Sequence, residues 1–132
     1  MSELRRAIAI RQPYAWAIIH GGKDVENRNQ RAAFQFKPAI GARLLIHASK
    51  GMTAAEYAVA VAFMAKLGIK PLQREGLQLG GVIGSVFVRD IVSSSDSPWY
   101  QKGATALVFA DPKPEPFMPM HGQAGLFWVK SR

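Results

Sequence analysis

The chain contains no cysteine. This excludes a disulfide framework, a thiolate metal site and a cysteine nucleophile. Long apolar runs are missing too. The opening MSELRRAIAIRQP offers an apolar stretch of only about four residues before Arg11, far short of a signal-peptide core or the roughly 20 residues of a membrane span. A soluble, cytoplasmic protein is therefore expected. The three histidines, His20, His47 and His121, lack metal-ligand spacing, so neither a zinc site nor any other cofactor is expected, and dependence on a divalent metal stays open. Repeats and low-complexity segments are absent.

Acidic side chains are few: 9 Asp and Glu stand against 17 Lys and Arg, giving a net charge of +8 and a pI near 10.2. Such an excess on a small protein favours polyanionic partners such as nucleic acid. The basic residues are spread through the first 50 positions rather than gathered in a tail, which points to a folded basic face. A length of 132 residues suits one compact domain over 1–132, with a core large enough to need no staples.

Hydrophobic patterning gives the organisation. AIAI (7–10) reads as a strand. Pro13 is placed at the first helical position, and YAWAIIH continues a short helix until Gly21 and Gly22 end it. The start of that helix, beside Arg11 and Gln12, presents backbone N–H groups to an anion. KDVENR reads as a strand, residues 38–41 as a turn and ARLLIHAS (42–49) as a clearer strand. Thr53 and Glu56 form a capping box for a helix reaching about Leu67, whose alanine-rich surface is expected to pack closely on the sheet. GGVIGSVFVRDIV (80–92), ATALVFA (104–110) and AGLFWV (124–129) supply further strands. DPKPEPFMPMHGQ, with its four prolines, is an extended edge or loop. The sum is an α+β, mainly β domain: a small barrel of about six strands with two flanking helices.

One stretch concentrates charge. In HGGKDVENRNQR (20–31), an extended 24–28 segment puts Glu26 and Arg28 on one face, and Lys23 in the preceding turn reaches over either edge. These residues form either a solvated surface ion pair or a site for something anionic. Aromatic rings bear on the choice because unstacked bases bind them. Tyr14 is a candidate. Trp99 and Tyr100, after SSSDSP, are better placed for a ligand, whereas Trp16 and Trp128 are assigned to the core.

The run IRQPYAWAIIHGGKDVENR, with its Gly21, Lys23, Glu26 and Arg28, resembles the signature of the ASCH domain family, a branch of the PUA-like superfamily. The likeness continues through LLIHASK, GGVIGSVFVRDIV, SPWY and HGQAGLFWV. It implies a small β-barrel with flanking helices and a charged cleft that binds RNA or other nucleic acid. Gly21, Lys23, Glu26 and Arg28 would line that cleft. Some members resemble ribonucleases, and a related group removes the acetyl group of acetylcytidine with a lysine at the position of Lys23 and a threonine at that of Glu26. Glutamate supplies no hydroxyl nucleophile, so here the hydrolytic form is water activated by Glu26. Gln30 stands where the family often has tryptophan.

Lys23 and Glu26 are thus the candidate catalytic pair, Lys23 stabilising an oxyanion or phosphate and Glu26 acting as general base. Arg28 is a bidentate clamp. Arg11, Gln12, Tyr14, Gly21, His47, Ser49, Lys50, Trp99, Tyr100 and His121 complete the candidate ligand contacts. The expected partner is RNA or a nucleotide or nucleoside. Three functions fit: a ribonuclease-like or nucleoside-amidohydrolase enzyme, a non-catalytic RNA- or nucleotide-binding module and, third in order, a small-molecule or protein-interaction role unrelated to nucleic acid.

Overall fold

A computed structural model describes residues 3–131. Six strands, β1 (Glu3–Ile10), β2 (Val25–Arg28), β3 (Arg43–Ala48), β4 (Gly81–Val92), β5 (Thr105–Pro119) and β6 (Phe127–Ser131), form one sheet in the order β2-β5-β4-β3-β1-β6. Only β1 and β3 pair in parallel; every other neighbour is antiparallel. The helices are α1 (Tyr14–His20), α2 (Gln30–Phe34) and α3 (Ala54–Lys66), with 3-10 turns at Lys37–Ala39 and Arg74–Gly76. Three helices replace the two expected: α2 is capped by Asn29, whose side chain accepts from the Ala32 N–H. Pro13 sits at the N-cap of α1, not inside its first turn.

The sheet curls. Bulges between Val82 and Gly84, Ser85 and Phe87, and Val88 and Asp90 shift the β4–β5 register, and such irregularities increase local twist. Gly84 is required for a second reason. A Cβ there would lie 2.6 Å from the Lys113 carbonyl oxygen and 2.7 Å from Ile19 Cδ1, so only glycine lets α1 approach the sheet.

Alternation then sorts the core. Ile8, Ile10, Leu44 and Ile46 point inside the curl with Ile18, Phe36, Val86 and Leu107, while Ala7, Leu45, Phe127 and Val129 pack on the other face. Trp128, between Phe127 and Val129, consequently points outward. It is 51% exposed and stacks under Arg6 at 4.7 Å, which corrects its assignment to the core. Trp16 is half-buried.

The capping box of α3 is present, with Thr53 Oγ1 accepting from the Glu56 N–H and Glu56 Oε1 from the Thr53 N–H. Its packing differs from expectation. Within α3 only Ala60 and Met64 are buried, and they meet a satellite cluster with Ala17, Val25 and Trp99, not the main core. Alanine suits exposed and buried helix positions equally, so an alanine-rich surface does not demand a wide contact.

The proline-rich segment is the second half of β5. It pairs only with β4, because β2 covers β5 only at 105–108. Pro112, Pro114 and Pro116 occupy alternate positions along it, which suits the free edge of a sheet, where a missing N–H removes nothing from the ladder. No helix among the described residues is long and apolar enough to cross a membrane.

Candidate functional site

The site begins with a turn. Gly21 caps α1, and a Cβ there would crowd the Ala17 backbone and the Trp16 ring at 3.1 Å; Gly22 follows with φ of +77°, a value that favours glycine. This reversal delivers Lys23 inward. Its side chain is 6% exposed, its ammonium donates to the Val25 carbonyl oxygen, and Nζ lies 3.3 Å from Glu26 Oε1. Glu26 Oε2 accepts from Arg28 Nε at 3.0 Å. The carboxylate is therefore held between two cations, one on each oxygen. The Arg28 guanidinium continues to the Ala9 carbonyl oxygen at 3.2 Å.

Burial pushes the Lys23 ammonium below its ordinary range, against the pull of Glu26 in the opposite direction. The Tyr14 hydroxyl is pushed up, chiefly by burial and then by the charges of Glu26 and Glu56. Lys23 Nζ sits 5.9 Å from the Tyr14 ring centre and 5.8 Å from that of Trp99, so aromatic faces flank the buried cation.

These groups line a cleft of about 480 Å³ at the seam between the C-terminal end of β1 and β2. Arg11 and Glu56 close one rim with a paired contact, Nε to Oε2 and Nη2 to Oε1, both 2.6 Å. Asn27 holds the opposite side: its amide donates to the Trp99 carbonyl and accepts from the Gln101 N–H. Among the described residues no three His, Asp or Glu side chains converge as a metal site would need.

The predicted residues divide into three sets. Arg11, Tyr14, Lys23, Glu26 and Arg28 share the cleft. Gln12, Gly21, Trp99 and Tyr100 build its frame. Gln12 is buried, its amide donating to the Gln78 carbonyl and accepting from the Trp16 N–H, so it occupies the helix start that the sequence offered to an anion. Trp99 is 5% exposed against Phe63, and the Tyr100 hydroxyl lies 2.7 Å from the carbonyl oxygens of both Ser93 and Ala104, its single proton shared between them. Both residues also line a small pocket of about 190 Å³ beside Tyr14 and Lys23. His47, Ser49, Lys50 and His121 instead line a second concavity of about 700 Å³, on the Ala9–His47 face of β1 and β3, which meets the cleft at Ala9. His20 lies exposed at the end of α1, tilted against Trp16.

Sequence reasoning missed Asn27, Glu56 and Gln101 as cleft residues, and Gln123 in the second concavity. Asn27 sat within the motif. Its alternation away from Glu26 and Arg28 pointed it to the other side of β2, where the Trp99 loop packs.

Comparison with known proteins agrees with this architecture. The family model for the ASCH domain matches residues 8–117. Crystal structures of the ASCH protein from Zymomonas mobilis share the fold at 18% identity and a TM-score of 0.54, over 95% of this chain and 87% of that one. Its serine-to-alanine variant aligns at 19% identity and 0.54, and its tyrosine-to-phenylalanine variant at 18% and 0.55. A search of curated proteins returned no match. With the matched segment running from β1 nearly to the end of β5, the chain belongs to the ASCH domain family.

Proposed function

We propose that the cleft at the β1–β2 seam binds a nucleotide unit of RNA. The observation that carries this reading is the chain of contacts Lys23–Glu26–Arg28 along an open cleft, with Lys23 buried beside Tyr14. A guanidinium has five N–H donors; Glu26 and Ala9 take two from Arg28, leaving the fork able to clamp phosphate. Tyr14 supplies a face for a base or ribose. The net charge of +8 adds a sequence-independent attraction for the strand.

The direct bond between Lys23 and Glu26 favours a second reading, hydrolysis within the bound ligand. The bond attacked is a phosphodiester or the acyl group of a modified nucleoside such as acetylcytidine. In that chemistry Glu26 takes a proton from water as the water oxygen attacks phosphorus or the acyl carbon, and Lys23 stabilises the developing oxyanion. The P–O or C–N bond breaks as the protonated Glu26 returns that proton to the leaving oxygen or nitrogen.

One experiment separates the readings. The purified protein and its Glu26→Gln variant are incubated with single-stranded RNA and with acylated nucleosides, with and without chelator, and products are followed by mass. Products that vanish in the variant make the protein a hydrolase. RNA binding without product in either leaves a binding module, and absence of binding overturns the nucleotide reading altogether.

A further inference from the structure

The concavity around His47 is larger than the charged cleft and touches it. Ala9 lines both, and the two parallel strands that end there, β1 and β3, share a wall. Lys50 borders one space, and the adjoining Gly51 lies against the Arg11 guanidinium of the other, where a Cβ would be 3.4 Å from its nitrogens.

The floor carries an unmet polar group. His47 is 2% exposed, and its Nε2 lies 2.8 Å from the Met120 carbonyl oxygen. A carbonyl only accepts, so Nε2 holds the proton and Nδ1 of the neutral ring is an acceptor. Nδ1 is buried without a partner, an arrangement that is unfavourable when left unfilled. Gly122 lies over it: a Cβ at that position would come within 2.9 Å of Nδ1 and 2.8 Å of Cε1. Residues 121–124 are exposed, so this covering backbone borders solvent. Leu79 and Met120 add apolar walls, and Lys50 and His121 add basic groups at the rim.

An N–H donor for the floor, a flat apolar body for the walls and an anion for the rim together describe a nucleotide. We propose that the His47 concavity takes the base of the nucleotide adjacent to the one bound in the Lys23–Glu26–Arg28 cleft, so that a single strand crosses Ala9 and occupies both spaces. This rests on the nucleotide reading of the cleft. The incoming base displaces the Gly122 backbone and donates to His47 Nδ1, and Lys50 meets the phosphate that joins the two units.

The test compares cytidine 5′-monophosphate with the dinucleotide cytidylyl-cytidine, 2′-O-methylated so that it cannot be cut, by calorimetry on the full chain. The dinucleotide binds about tenfold or more tightly, as expected when a second contact is tethered to the first. Gly122→Val and Lys50→Ala each erase most of that gain and leave monophosphate affinity unchanged. In nitrogen-15 spectra the His47 Nδ1 resonance moves upfield with the dinucleotide only. Equal affinities for the two probes, or a gain that survives both variants, overturn the two-space strand while the cleft reading stands. Loss of monophosphate binding in Lys50→Ala also overturns it, since a free nucleotide would then occupy the His47 space alone. Binding of neither probe overturns the cleft reading and this one together.

Discussion

The Arg28 guanidinium on β2 donates to the carbonyl oxygen of Ala9 on β1, strands that stand four places apart in the sheet order. A flat sheet would hold those strands far beyond side-chain reach, since neighbours are spaced about 4.8 Å apart. The contact therefore marks how far the sheet has curled, and it places a cation at the seam. Arg28→Ala lowers RNA affinity and reduces the slope of log K against log salt by about 1, the loss expected for one phosphate contact. Arg28→Lys restores the salt slope but not the full affinity, because an ammonium cannot bridge Glu26 and Ala9 as a fork. Binding isotherms from 50 to 300 mM salt, about the range in which such contacts are screened, measure both effects.

Lys23 makes stability depend on pH at the alkaline side. Its folded value lies below 10.5, so between the two values the unfolded chain binds more protons and stability rises with pH. The penalty of burying the ammonium is complete below the folded value and is relieved as pH climbs toward 10. Beyond that the raised Tyr14 acts in the opposite direction, because its folded form ionises later than the unfolded one. Urea midpoints at successive pH values show the rise, and Lys23→Met removes it.

Arg11 and Glu56 give an acid counterpart. The Arg11 guanidinium and the Thr53 N–H draw the Glu56 carboxyl from 4.5 down to about 2. A depressed carboxylate adds stability above its unfolded value, and that contribution fades as pH falls from 4.5 through about 2. The pair is exposed, so salt weakens it. Amide exchange in the first turn of α3 accelerates over this window. Glu56→Gln brings the faster exchange to neutral pH and flattens its acid dependence. Thr53→Ala, which removes the other half of the cap, costs about 1 kcal/mol.

Gly84→Ala tests how α1 is seated. The new methyl meets the Lys113 carbonyl oxygen and Ile19 at 2.6 and 2.7 Å, and crowding of this kind costs about 1–3 kcal/mol in a packed core. Because α1 carries Tyr14 and leads into the Lys23 turn, ligand affinity falls with stability. Chemical denaturation read beside RNA binding checks both.

Strands β3 and β4 were legible because branched apolar residues leave little choice, and α3 because Thr53 and Glu56 announce its start. The Lys23–Glu26–Arg28 grouping was legible because these residues are close in sequence and alternation on a strand sets their faces. Trp128 and Trp99 show the limit. The outward turn of Trp128 follows from alternation between Phe127 and Val129, which the uniform apolar run concealed. Trp99 is buried by Phe63 from α3, a residue 36 positions away, and no local pattern records that meeting. The separation of His47, Ser49, Lys50 and His121 from the cleft is of the same kind. It depends on the segment after β5 folding over His47, with Met120 lying 73 positions away in the chain, a meeting that no local pattern records.

The alternate prolines of β5 have a consequence for the protein in company. An uncovered strand edge invites a strand from another molecule, and such encounters become frequent when copies are crowded at high concentration. Pro112, Pro114 and Pro116 leave that edge with no regular row of donors to offer. Crowding therefore brings copies side by side without zipping their sheets together.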